Sequence, residues 1–346
     1  MIRTSFTLAL LLSASPALAQ EPLLIERVDA DTLALVRSDP APAALWLSAD
    51  PVLDTGDMLL TEHDSSEWYE FASPATQRHY VFVVGTDGRE QVASERVLPL
   101  EQGSNFRDIG GYSTADGRTV RFGLAFRSGA MPLLTEADYA LLEQLDIGAV
   151  VDLRSLEERN VAADELDDRT GALFLSNDYL IAPLMADLGR GGGENMYAGM
   201  ESLLRPQFRA IFNRLLAGEG AVVYHCSAGQ DRTGMAIALI YDLLAVDRET
   251  IVADYHLSTA LRRPQFEMPP IDAADYPGNP IVQYYSAARA AGRTGAEPLF
   301  TPSGQSHLVQ FFAHIDATYG GTAGYLEQQL GMTAEQIERL RELMLL

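Results

Sequence analysis

Ten consecutive residues combine a nucleophile, a cation and a run of small side chains: His225-Cys226-Ser227-Ala228-Gly229-Gln230-Asp231-Arg232-Thr233-Gly234. They follow the apolar run Ala221-Val222-Val223-Tyr224 and lead into an apolar stretch from Gly234 to Ala245. That pattern predicts a loop between a buried strand and the start of a buried helix. A helix start presents unbonded N–H groups and the positive end of the dipole to one point. Ser227, Ala228 and Gly229 are small enough for such a backbone to curl around an anion, and Arg232 can grip two of its oxygens at once. The same positive surroundings favour the ionised sulfur of Cys226. The chemistry this suits is attack of sulfur on a phosphate-like centre. An oxygen leaving group would need a proton from a nearby carboxylic acid. Asp231 in the loop, and Asp152, Asp108 and Asp178 on neighbouring segments, are the candidates, although Asp152 and Asp108 read more readily as structural residues that orient loops through hydrogen bonds.

The bulk composition constrains the partners. The chain has 346 residues with a net charge of -23, from 48 acidic and 25 basic side chains. Such a field argues against nucleic acid or an anionic membrane as partner, so an anionic substrate must be drawn by a local positive site. Apolar residues make up 47% and charged residues 21%, the balance of a folded globular protein. Arg3, the apolar run Phe6 to Leu12 and Ala17-Leu18-Ala19 read as an export signal over residues 1–19. The expected location is therefore outside the cytoplasm, in a bacterial periplasm, with a mature chain starting near Gln20. No later segment is long enough to insert stably in a bilayer. Cys226 is the sole cysteine, so an internal disulfide is impossible. A lone buried thiol is often a small hydrophobe, and only its neighbours argue otherwise here.

The chain around this loop reads as two domains. Residues 22–98 carry short β-type runs, Thr32 to Val36, Ala44 to Leu47 and His79 to Val84, separated by turn signals such as Asp39-Pro40 and Asp50-Pro51. They predict a small all-β domain, similar to fibronectin type III or Ig-like sandwiches. From residue 104 to 346 helices alternate with apolar strands, as in an α/β layer. Thr135 to Leu145, 201–217 and the segment after Thr333 read as helices, the first and last opened by capping boxes. Ala149 to Leu153 and Ala221 to Tyr224 read as buried strands. Residues 187–195, rich in Gly, and 263–305, rich in Pro, Gly and Tyr, look like insertions, either active-site covers or surface decoration.

The ten-residue run resembles the signature loop of the cysteine-dependent tyrosine phosphatases, His-Cys-x5-Arg-[Ser/Thr]. More closely it resembles the bacterial tyrosine/dual-specificity group with lipid-phosphatase members, whose loop reads His-Cys-x-Ala-Gly-Lys-Asp-Arg-Thr-Gly. Asn105-Phe106-Arg107-Asp108-Ile109-Gly110-Gly111-Tyr112, followed by Arg127-Ser128, and Val151-Asp152-Leu153-Arg154-Ser155 are further matches. The resemblance implies a cysteine-phosphatase fold with a central, mostly parallel sheet flanked by helices. It implies attack by Cys226 to form a phosphocysteine, with the N–H groups of Ser227 to Arg232 and the Arg232 guanidinium holding the equatorial oxygens. Thr233 would donate to the sulfur, His225 would orient the loop, and Asp231 would be the general acid. Ser227, Ala228, Gly229 and Gln230 would bind substrate, with Arg107 and Asp152 beside them. No cofactor or metal is implied.

One position departs from the group: Gln230 stands where lipid-active members have Lys. The change removes a charge-assisted contact of about 1.5–3 kcal/mol, which counts against phosphoinositides and not against monoester hydrolysis. Arg107, Arg127 and Arg154 are candidates to replace the charge, or structural ion-pair partners. The favoured substrate is phosphotyrosine in a protein, with dual specificity or a small phosphate ester open; inositol phosphates are the alternative. A sulfurtransferase also holds cysteine in a six-residue cradle, but His225 and Asp231-Arg232-Thr233-Gly234 favour phosphate. A catalytically inactive module that binds phosphorylated partners is a third class, and the intact Cys226 and Arg232 speak against it.

Overall fold

The computed structural model describes residues 21–38, 40–183, 196–292, 295–296 and 298–346. The export-signal residues and the 187–195 insertion lie outside them. Seven strands come first: β1 Leu23–Arg27, β2 Thr32–Arg37, β3 Ala43–Ser48, β4 Met58–Asp64, β5 Trp68–Ala72, β6 Tyr80–Gly85 and β7 Glu90–Ser94. They form two antiparallel sheets, β1-β2-β5 and β4-β3-β6-β7. Alternate residues of β2, β3 and β6 (Leu33, Leu35, Leu45, Leu47, Val81, Val83) meet between the sheets and form the core of an all-β sandwich.

The second layer system begins with β8 Arg107–Asp108 and β9 Ala125–Ser128, then α1 Glu136–Leu142, β10 Ile147–Asp152, α2 Leu156–Val161, α3 Leu166–Thr170 and β11 Leu173–Ser176. It continues with α4 Met196–Ala217, β12 Ala221–His225, α5 Asp231–Leu243, α6 Arg248–Leu261, α7 Pro280–Ala290, α8 His307–Tyr319, α9 Thr322–Leu330 and α10 Ala334–Met344. The sheet order is β11-β10-β12-β9-β8; the first four strands run parallel and β8 is antiparallel to β9. Parallel strands need cover on both faces, which is why β10 and β12 are unbroken apolar runs. One face packs on α4, α5 and α8 through Phe208, Ile211, Ile237 and Phe311, and the other on Tyr139, Leu142 and Leu166. Thr135 with Asp138, and Thr333 with Gln336, close both capping boxes expected from the sequence. Among the described residues no helix is long and apolar enough to cross a membrane.

The sandwich is bolted to the α/β domain. Phe122 packs among Tyr80, Phe82 and Val92, and Arg78 donates to Asp108 Oδ2 at 2.5 Å while its guanidinium lies over Phe126. Asp108 also accepts from the backbone N–H groups of Gly110 and Gly123, both at 2.8 Å. It is fully enclosed by structural bonds, so the general-acid candidacy of Asp108 is overturned. Asp108→Ala would leave Arg78 buried without its carboxylate, a loss of about 3–5 kcal/mol in urea or thermal unfolding. The pH dependence of turnover should stay as in the parent chain.

Candidate active site

β12 ends at His225 and α5 begins at Asp231, so Cys226 to Gln230 form the expected loop between the middle of the sheet and a helix start. Gln230 is the N-cap of α5 and offers no side-chain cap, which leaves the first N–H groups of the helix to the loop side. Gly229 carries the turn with φ +65°; a methyl there would meet Ser128 O at 2.6 Å and Gly129 N at 2.7 Å. Only glycine combines that backbone with that space. The outer side of the loop is tied down. Asn105 Nδ2 donates to Ala228 O and Gly229 O at 3.3 and 2.9 Å, and Arg127 Nη2 donates to Gly229 O at 2.8 Å. With those carbonyls drawn outward, the loop offers its opposite side to the cavity. Gly229→Ala should therefore lower turnover of an aryl phosphate by about 100-fold through misplacement of the loop, with circular dichroism unchanged; near-normal turnover would contradict it.

The cavity holds about 1010 Å³ and is lined by Cys226, Ser227, Ala228, Gln230, Asp231 and Arg232, with Ile181, Met200, Met268, Tyr285 and Leu299 making apolar walls. Cys226 is only 2% exposed, yet it lines this space. Arg232 is held rigidly beside it: Nη1 and Nη2 each donate to Glu158 at 2.6 Å, and Nη1 also reaches Tyr179 Oη at 2.9 Å. Glu158 further accepts from Ser227 Oγ at 2.5 Å and from the Ser155 N–H at 2.7 Å. Burial opposes charge on Glu158, but Arg232 and these donors outweigh it and bring the carboxyl down to about 2. Glu158 was not singled out in the sequence; the signal that could have drawn attention to it is the Ser155-x-x-Glu158 spacing, which forms a capping box at the start of α2. Its grip on Arg232 crosses 74 residues and had no signal in the chain.

Several expected site residues lie elsewhere. Arg107 is fully buried behind the loop, bonded to Asp254 O at 3.0 Å, Ser258 Oγ at 3.1 Å and Asn105, and is not among the residues that line the cavity, where the sequence had expected it to bind substrate. Arg127 shares Asp254 with it, donating to Oδ2 at 2.7 Å. Burial resists ionisation of Asp254, yet the two guanidinium groups hold its carboxyl at about 2. Asp152 is likewise buried, paired with Arg154 Nη2 at 2.7 Å, and is not among the residues that line the cavity. Arg154 is spent on Asp152 and Asp164, so none of the three arginines replaces the missing lysine charge. Arg262 stands there instead: it lines the cavity and donates to Gln230 Oε1, while Glu267 takes its Nε and Nη2 at 2.9 and 2.5 Å. Asp178 is exposed and paired with Arg159, away from the cavity lining.

His225 is buried beneath the loop, with Nε2 3.4 Å from Asp164 Oδ2 and 3.8 Å from Asp152 Oδ1. These three residues could offer ligand atoms within 4.8 Å of one another. Arg154 already supplies a cation to both carboxylates at 2.7 and 3.0 Å, which offsets one of their two charges. The Thr233 bond to sulfur is not formed: Thr233 Oγ1 is buried without a partner among the described residues. The 263–305 segment, read from the sequence as cover or decoration, supplies Pro264, Met268, Ile281 and Tyr285 to the cavity wall and includes α7.

The chain is similar to several known proteins. A family model described as the tyrosine phosphatase family matches residues 98–346. A Cupriavidus necator protein, named provisionally as a tyrosine-protein phosphatase, is 30% identical over 72% of this chain and 88% of its own length. A tyrosine-protein phosphatase of Nostoc commune is 30% identical over 62% of this chain and 72% of its own. The triple specificity protein phosphatase PtpB of Mycobacterium tuberculosis is 28% identical over 70% and 96%. A solved structure of TpbA from P. aeruginosa is 17% identical, covering 52% of this chain and 96% of its own, with a TM-score of 0.27, too low to bear on the fold. The matched segment contains the whole Cys226 loop and every residue that holds it in place, and the chain belongs to the tyrosine phosphatase family as a phosphate-ester hydrolase.

Proposed function

We propose that this enzyme hydrolyses phosphate monoesters, phosphotyrosine first among them, through a phosphocysteine on Cys226. The observation that carries the reading is the meeting of Cys226 and the Glu158-locked Arg232 in the lining of one cavity. The Cys226 thiolate attacks phosphorus, the S–P bond forms, and the P–O bond to the leaving group breaks as that oxygen takes the Asp231 proton. Water then attacks phosphorus, gives its proton to Asp231, and the S–P bond breaks to release phosphate and thiolate. Loop N–H groups and Arg232 stabilise charge on the equatorial oxygens. Thr233, with its hydroxyl otherwise unengaged among the described residues, is available to donate to the departing sulfur.

The apolar walls suit an aryl leaving group, and relatives named as tyrosine-protein and triple specificity phosphatases support the same class. Glu267 balances the charge of Arg262 beside Gln230, which favours an ester with one phosphate over inositol polyphosphates. The order β1-β2-β5 and β4-β3-β6-β7 supports a fibronectin type III-like N-terminal domain, residues 22–98, before a phosphatase domain at 104–346. The export-type segment at 1–19 supports a periplasmic location.

A substrate panel on the chain from Gln20 tests the reading, with aryl phosphate, phosphotyrosine and phosphoserine peptides, phosphoinositides and phytate, and Cys226→Ser as control. Phosphotyrosine peptides should show the highest kcat/KM. Turnover confined to phytate or phosphoinositides would overturn the substrate, and phosphopeptide binding without any turnover would overturn the enzyme.

A further inference from the structure

Asp231 lines the cavity, and one of its two oxygens is already taken. Tyr197 Oη, on α4, donates to Asp231 Oδ1 at 2.7 Å, and Tyr255 Oη, on α6, lies 2.5 Å from Tyr197 Oη. Since the Tyr197 proton points at the carboxylate, Tyr255 is the donor of the second bond. Both rings are buried, at 4% and 0% exposure. Burial first, and then the negative Asp231, push both phenols well above their ordinary range, so they stay neutral donors at any working pH. Two further contacts fix the rings. His307 stacks on Tyr197 at 5.3 Å between centroids, and Gly234 leaves room for Tyr255: a methyl on Gly234 would lie 2.7 and 2.9 Å from its ring carbons. The last glycine of the ten-residue run thus serves a tyrosine on another helix.

A carboxylic acid carries one proton, and a hydrogen on Oδ1 would face the hydrogen of Tyr197. With Tyr197 donating to Oδ1, that proton sits on Oδ2. We propose that Tyr197, backed by Tyr255, is a positioning residue that fixes the Asp231 carboxyl and leaves Oδ2 as the oxygen that passes the proton to the leaving group. The inference rests on Asp231 as general acid, and the two ideas fail separately.

The test is kcat/KM over a series of aryl phosphates, from dinitrophenyl phosphate, whose leaving group needs no proton, to phenyl phosphate and a phosphotyrosine peptide, whose leaving groups do. For Tyr197→Phe, kcat/KM should fall by about 10-fold on the poor leaving groups and stay unchanged on the dinitrophenyl ester, with inhibition by inorganic phosphate unaltered. Tyr255→Phe should show the same trend by a smaller factor. An equal loss across the series, or none, overturns the positioning role. Should Tyr197→Phe not fold, the Tyr255→Phe series decides by the same criterion. Asp231→Asn supplies the reference: a steep leaving-group dependence there with a flat Tyr197→Phe series overturns only the positioning, and a flat Asp231→Asn series overturns the acid and the positioning together.

Discussion

Cys226→Ser should lose turnover of every phosphate ester by about 10⁴-fold or more while the fold stays intact. The reason is local. A serine hydroxyl fits the volume of the buried thiol but is hardly ionised, so it needs a base to activate it. Of the described carboxylates that line this cavity, Glu158 is locked to Arg232, and Asp231 enters the first step carrying the proton meant for the leaving group, so neither is free to take a proton from serine. His225, the adjoining residue, lies under the loop against Asp152 and Asp164. Orthovanadate or inorganic phosphate should still bind, because the N–H groups and Arg232 are untouched. Initial rates on an aryl phosphate, together with a melting curve and an anion titration, check this. A serine variant keeping more than about a hundredth of parental kcat would show that sulfur is not the nucleophile.

Arg232→Ala should lose activity and about 3–5 kcal/mol of stability together, because it strands Glu158. In the parent chain Glu158 sits at about 2 in the folded state against an ordinary 4.5, so its stabilisation is present above pH 4.5 and is lost as pH falls towards 2. Without Arg232 the sign reverses. A buried carboxylate with no cation has its folded value raised, so the variant should be most stable in acid and weaken as pH rises towards neutrality. Urea unfolding at several pH values reads both effects. Arg232→Ala combined with Glu158→Ala should recover much of the stability and none of the activity. Equal stability of the single variant and the parent at neutral pH would mean that the ion pair does not anchor the loop.

The elements were legible wherever local chemistry decided them. β12 and β10 are apolar runs bounded by turns, and α1 and α10 open on capping boxes that the structure forms as written. α5 starts at Asp231, three residues before the expected Gly234, because its N-cap Gln230 has no capping side chain to mark it. α4 is described from Met196, earlier than the 201 read from the sequence. The 263–305 segment hid α7, although Asn279 caps it and Pro280 occupies its first turn.

What the chain alone determined was the chemistry of the loop: a sulfur, an arginine six residues on and small residues between them, all set by a strand running into a helix. Which charges face the cavity was decided by tertiary structure. Arg107, Arg127 and Arg154 look like anion ligands in one dimension and are counter-ions of Asp254, Asp152 and Asp164 in three. Conversely Glu158, Tyr197 and Arg262 reach the site across 74, 34 and 32 residues. Buried charge must find an opposite charge or a hydrogen bond, and the nearest partner in space is set by how helices and strands pack, which no spacing along the chain encodes.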